Sequence, residues 1–220
     1  MKPLTITIDG PAGSGKTTVS KLLADRLGYR YIDTGALYRA VALEAKSAGL
    51  APDDDGGLKE LCGRMRVQFV QGSHGLRLLS NGTDLTDSIR TPEISLLASA
   101  VSARPVVRQY LLDIQRDMGR QGGAVFEGRD MGTVVFPDAD VKFFLDASAK
   151  VRVLRRYDEM ASTSSQSCAE VERDMKLRDK NDSTRELAPL MPARDAIRID
   201  SSDLTIDQVV QLMLRHVDVA

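Results

Sequence analysis

The chain has 220 residues, of which 42% are hydrophobic and 28% charged, enough for a packed core in one large or two small domains. A net charge of −1 and a sequence pI near 6.2 exclude the strongly basic balance of a general nucleic-acid coat, so any nucleotide bound should be small. Cys62 and Cys168 form no CxxC pair and suggest no disulfide framework, and no apolar run approaches membrane-spanning length. The opening MKPLTITIDG enters a strand almost at once and leaves no room for a signal or transit peptide, so a cytoplasmic globular protein is expected.

The first predicted strand is LTITID, and KLLADRL downstream has helical spacing. Between them GPAGSGKTT fits the pattern GxxxxGK[ST], with Gly10, Gly15, Lys16 and Thr17 in register. In the order strand, glycine loop, helix, backbone N–H groups curl round a phosphate and the helix N-terminus adds its dipole. The predicted nucleoside triphosphate site is therefore Gly10, Pro11, Ala12, Gly13, Ser14, Gly15, Lys16, Thr17 and Thr18. Lys16 can reach the β and γ phosphates, and the Thr17 hydroxyl a magnesium ion.

The loop helix should run to about Leu27 and stop at Gly28, followed by a short strand, YRYID, closing at Asp33. Thr34 can cap a second helix over ALYRAVALEAKSAGL, and APDDDGG reads as a polar boundary with Asp53 to Gly56 a solvated turn. From about Arg64 to Arg90 alternation replaces helical spacing in RVQFV, GLRLLS and TDLTD, with turns at Gly72 to Gly75 and at Asn81-Gly82. This predicts a small antiparallel sheet inserted into an α/β chain. Helices follow at Thr91 to Ala103 and Pro105 to Met118, then core strands in GGAVFEGRD, DVKFFLDAS and AIRID. A charged helical stretch from Lys150 to Glu186, broken at Ser162 to Ser167, and a last helix from about Thr205 to His216 complete the chain. Strands alternating with helices after a phosphate loop imply a parallel sheet covered on both faces.

Four separated stretches, TIDGPAGSGKTT, YIDTGALYRAVA, EGRDMGTVVFPDADVKFFLDAS and RDKNDSTRELAPL, resemble the bacterial cytidylate kinases in order and spacing. GRDMGTVVFPDA is the most specific, because nothing in generic nucleotide binding demands it. The resemblance implies a nucleoside monophosphate kinase of the P-loop superfamily, with ATP and CMP or dCMP as substrates and Mg2+ as cofactor. It implies one kinase domain over 1–220, an inserted monophosphate-binding lobe at about 62–103, and a mobile helical lid at about 152–186. A monomer without nucleic-acid or membrane partners is expected.

Phosphoryl transfer is mainly positioning and charge neutralisation, so basic groups should outnumber acid/base candidates. Arginine outnumbers lysine by 21 to 9, and the only histidines are His74 and His216. By resemblance Lys16, Arg129 and Arg155 are the catalytic cations, Arg155 coming from the lid onto ATP. Arg152 and Arg156 could join it in one basic cluster. The acceptor site implied by the family comprises Thr34, Arg39, Ser99, Arg108, Arg129, Asp130, Arg178, Asp182 and Arg185, with Asp130 helping to read the base. Spacing alone allows Arg178, Asp182 and Arg185 to form either a surface salt-bridge ladder or one wall of a cleft. A nucleotide sensor and a kinase of a hydroxylated metabolite remain as alternatives; a GTPase is disfavoured because no NKxD motif is present.

Overall fold

The computed structural model describes residues 3–72, 75–161 and 165–219. His74 and the first three residues of the expected serine-rich break, 162–164, lie outside them. The chain forms two compact units, one from residues up to Asp33 together with those from Gln115 onward, the other from Thr34 to Ile114.

The first unit opens with β1 (Thr5–Asp9), α1 (Lys16–Leu27) and β2 (Arg30–Asp33). The second carries α2 (Thr34–Ser47), α3 (Asp55–Arg64), the strands β3 (Val67–Gly72), β4 (Gly75–Ser80) and β5 (Thr83–Asp84), α4 (Pro92–Val101) and most of α5 (Pro105–Gly119). The chain then returns through β6 (Ala124–Gly128), a π-helical turn at Met131–Val135, β7 (Val141–Asp146), α6 (Ala149–Met160), α7 (Cys168–Thr184), β8 (Ile197–Asp200) and α8 (Ile206–Val217).

The first unit is built on a parallel sheet in the order β2-β6-β1-β7-β8. Its central strands β6, β1 and β7 are buried along most of their length, as in a parallel sheet covered on both faces, while the edge strands β2 and β8 are only partly buried. Ile6, Ile8, Val125, Phe143 and Leu145 pack with Val19 and Leu23 of α1 and Val209, Val210 and Met213 of α8 in one core. Each such side chain contributes about 1.5–3 kcal/mol when fully withdrawn from water. Phe126 adjoins Phe136 with ring centroids 4.4 Å apart. Gly28 ends α1 in the left-handed conformation, φ 65°, and Thr205 with Gln208 forms a capping box that starts α8.

The second unit contains the antiparallel sheet β3-β4-β5. Its second hairpin turns through Asn81 and Gly82, both with positive φ, as a two-residue loop requires. Thr91 caps α4 by accepting from the Ile94 N–H at 3.2 Å.

Two elements differ from the sequence expectation. The supposed turn at Asp53 to Gly56 contains the start of α3, where the Asp54 carboxylate accepts from the Gly57 N–H at 2.9 Å and Leu58, Leu61 and Cys62 are buried. Gly56 and Gly57 disguise that first turn, yet a side chain at Gly57 would meet the capping Asp54 carboxylate at 2.6 Å. The π-helical turn after β6 has no periodic signature, since it is defined by Val135 and Phe136 donating to Asp130 and Met131 carbonyls five residues back. Cys62 is buried, which pushes its thiol up to about 11, whereas Cys168 is exposed. Among the described residues no helix is long and apolar enough to cross a membrane.

Candidate active site

The carboxyl ends of β1 and β6 lie side by side in the first unit, pairing Asp9 with Gly128, so the loops that follow both strands start from one edge of the sheet. That edge is where ligands of open α/β sheets bind. The loop after β1 is the phosphate motif. At Gly10, φ is 149° and a side chain would collide with the Leu145 carbonyl of β7; at Gly13, φ is 74° and it would lie 2.6 Å from the Arg152 carbonyl. These two glycines thus seat the loop against its neighbours as well as clearing space for a phosphate.

Lys16 is buried and folds back on the loop, donating to the Pro11 carbonyl at 2.6 Å and to Ser14 Oγ at 3.3 Å. Burial holds its ammonium well below the ordinary lysine range, and the positive charges of Arg129 and Arg178 push it further down. The next residue, Thr17, donates to Glu127 Oε1 at 2.8 Å, and Tyr31 of β2 donates to Glu127 Oε2 at 2.6 Å. Glu127 lies at the end of β6 within a strand that sequence reasoning read only as core. Its signal was an acid closing an otherwise apolar run beside the phosphate loop.

Asp9 also escaped the sequence analysis. Its carboxylate accepts from the backbone N–H groups of Met131 and Gly132 at 2.9 and 2.8 Å, pinning the turn that follows Arg129 and Asp130. Burial raises its pKa to about 6, with the two N–H groups opposing, Asp130 adding to the rise and Lys16 opposing it. Because the folded value lies above the unfolded one of 3.8, the associated stability is present at low pH and is lost as pH rises through about 6. The unfolding free energy of the parent, measured against Asp9→Asn, is expected to rise by about 2 kcal/mol between pH 7.5 and pH 4.5. Urea titrations at both pH values measure this; a difference that does not change with pH would rule out Asp9 as the titrating group.

The loop after β6 and the end of α7 form a charged cluster. Arg129 donates through Nε to Asp182 at 3.0 Å, Arg178 Nε lies 3.8 Å from the same oxygen, and Arg185 lies 3.8 Å from Asp130. Asp182 and Asp130 are buried, which decides against the surface ladder that spacing left open. The shared helix face extends only from Arg178 to Asp182, because α7 ends at Thr184 and Arg185 turns to extended backbone, donating to the Ala188 carbonyl at 2.7 Å.

The expected cluster of three α6 arginines divides. Arg155 faces Ser201 beside the phosphate loop, donating to Ser201 Oγ at 2.9 Å and to the Ser201 carbonyl at 2.7 Å, with the Ser14 carbonyl at 3.5 Å. Arg152 is a buried brace, bonded to the carbonyls of Ala147 and Ala12 and paired with Asp179 at 2.7 Å. Arg156 pairs with Glu159 on its own helix.

In the second unit, Arg108 lies 5.6 Å from the centre of the Tyr38 ring and donates to the Ser102 carbonyl at 3.0 Å. The Ser102 hydroxyl in turn donates to the Ser99 carbonyl at 2.8 Å. Thr34 and Ser99 are buried, and Arg39 is half-buried in α2. His216 is exposed on α8, edge-on to the core residue Phe143 with ring centroids 6.4 Å apart.

A family model described as cytidylate kinase matches residues 6–219. The chain belongs to the cytidylate kinase family. It is 54% identical to a cytidylate kinase of Geobacter sp. (strain M21) over 96% of this chain and 91% of that one. It is 45% identical to one of Ligilactobacillus salivarius (strain UCC118) over 99% and 98% of the two chains. Among solved structures, a shikimate kinase from Bacteroides thetaiotaomicron superposes with a TM-score of 0.52 at 13% identity, covering 98% of each chain. That likeness concerns the fold alone. For a cytidylate kinase the division of expected site residues between units is concrete: the phosphate loop, Arg129, Asp130, Arg155, Arg178, Asp182 and Arg185 belong to the first, and Thr34, Arg39, Ser99 and Arg108 to the second.

Proposed function

We propose that this cytidylate kinase transfers the γ-phosphoryl group of ATP to CMP or dCMP, giving ADP and CDP or dCDP, with the residues of the charged cluster as its site. The observation that carries the assignment is the field at Lys16. Arg129 and Arg178 act on the buried ammonium from the same unit, so three cations bear on one region, with Glu127 and Asp9 opposing at Lys16 and Asp182 pairing with the two arginines. A polyphosphate is a ligand that such cations favour beside a glycine loop and the N-terminus of α1.

Lys16 leaves the Pro11 carbonyl for the β and γ oxygens, Arg155 comes to the transferred group from Ser201, and Arg129 holds the acceptor phosphate while Asp182 keeps its guanidinium aligned. The residues at the end of the loop suit magnesium: the Thr17 hydroxyl and the Glu127 carboxylate are hard oxygen donors in contact with each other. Magnesium usually keeps several waters and is held by one or two protein oxygens together with substrate phosphates. When bound there, magnesium would neutralise charge on the phosphate oxygens. In this reading the region of about 62–103 is the inserted monophosphate-binding lobe, with Thr34, Arg39, Ser99 and Arg108 belonging to the acceptor site. The region 152–186 is a lid that excludes water as it closes. The proposal includes a monomer working in the cytoplasm.

Base choice gives the test. Cytosine offers an amine at position 4 where uracil offers a carbonyl, so an ionised Asp130 accepts from one and repels the other. Coupled ADP release is measured with ATP, magnesium and a panel of nucleoside monophosphates and small hydroxylated metabolites. The parent is expected to respond to CMP, and Asp130→Asn to lower the CMP-to-UMP ratio of kcat/KM by about ten- to a hundredfold. A folded parent that ignores CMP would sink the assignment. A ratio unchanged in the variant would move base reading to Ser99, Arg108 or Arg185.

A further inference from the structure

We propose that Tyr31 is a positioning residue for the metal site, acting through Glu127 on Thr17; this rests on the reading of Thr17 and Glu127 as the magnesium-side residues. The register pairs Asp33 of β2 with Glu127 of β6, and the two-residue period of a strand places Tyr31 on the same face one step back. From there its hydroxyl reaches Glu127 Oε2 at 2.6 Å, while the Thr17 hydroxyl holds Oε1 at 2.8 Å. The two oxygens of one carboxylate are therefore tied to two different elements, β2 and α1.

Proton direction follows from chemistry. An ionised carboxylate only accepts, so both hydroxyls must donate to Glu127. A Thr17 hydroxyl whose proton is committed to Glu127 turns its lone pairs elsewhere, as a metal ligand must. The orientation of those lone pairs thus depends on where Glu127 Oε1 stands. Glutamate has a broad terminal torsion, and the bond from Tyr31 to the second oxygen restricts the carboxylate's rotation about it. The ring is itself held: Lys21, one helical turn after Thr17, lies with its ammonium 5.6 Å from the Tyr31 ring centre, and the ring packs against the α1 core cluster.

A positioning role differs from a merely structural one in what it moves. The test compares ATP dissociation constants with excess magnesium and with excess chelator, by calorimetry without turnover, in the parent, Tyr31→Phe, Glu127→Gln and the double variant. Phenylalanine keeps the ring and its packing, and the thermal midpoint checks the fold. In Tyr31→Phe the factor by which magnesium strengthens ATP binding is expected to fall about tenfold, the size of effect typical when a partner of a metal-site ligand is removed. Binding of metal-free ATP should stay within about twofold of the parent, because the lost bond touches no phosphate-binding group. The double variant should lose no more than Glu127→Gln alone, since both act through one carboxylate. Equal weakening of both dissociation constants in Tyr31→Phe would overturn the proposal. So would a magnesium factor retained in Tyr31→Phe but lost in Glu127→Gln, leaving the metal-side reading of Glu127 standing. A factor retained in both variants, or absent from the parent, would instead remove that reading.

Discussion

Replacement of Lys16 by alanine is expected to lower turnover by a hundredfold or more while leaving the fold in place. The loss is on the scale seen when a single preorganised electrostatic donor is removed from a water-poor site. Folding should survive because, among the described residues, the ammonium bonds to the Pro11 carbonyl and the Ser14 hydroxyl, both within its own loop. Its charge is also held against burial and against Arg129 and Arg178, so removing it relieves repulsion. The thermal midpoint should therefore stay level or rise as activity collapses. Rates measured under saturating ATP and CMP, beside a melting curve, decide the matter; near-normal turnover in folded protein would mean that the loop is not where the chemistry occurs.

Asp182→Ala should have the opposite profile, a large loss of stability together with weak acceptor binding. Asp182 is 3% exposed and is the described carboxylate partner of both Arg129 and Arg178. Removing one partner of a buried ionic group typically costs about 3–5 kcal/mol, and because the arginines keep some contact with water the lower end of that range is expected. The same change frees the Arg129 guanidinium to rotate, so KM for CMP should rise well before kcat falls. Denaturant unfolding with acceptor titrations measures both. A variant as stable as the parent, with unchanged KM, would show that the pair neither holds the fold nor orients the acceptor.

How much was legible in the sequence depended on whether a feature had a period or a motif. The sheet strands were visible as apolar runs, and the insert as alternation around Asn81-Gly82, because burial dictates side-chain type at fixed spacing. The phosphate loop was visible because its glycines have conformations that other residues resist. Contacts between distant segments left no such trace. Arg152 and Arg155 are three residues apart on one charged helix, yet one is a buried brace and the other faces Ser201. Only the fold of the P-loop against α6 separates them. Glu127, Asp9 and Tyr31 lie in stretches that read as strands whatever those side chains bond to, and their polar partners lie 110, 122 and 96 residues away in the chain.

The strand order carries a consequence for how the molecule is made. In a sheet ordered β2-β6-β1-β7-β8, β1 pairs with β6 and β7, and β2 with β6 alone. The first 33 residues thus have no sheet partner until the chain has been synthesised past Ala124, and the far edge waits for Ile197. The intervening unit is continuous in sequence and closes its own hairpins locally. On the ribosome, this unit therefore has its partners first, while an apolar N-terminal strand waits unpaired through about a hundred residues of elongation, several seconds at typical rates. The slow, exposed phase of folding falls on the segment that will carry the phosphate loop.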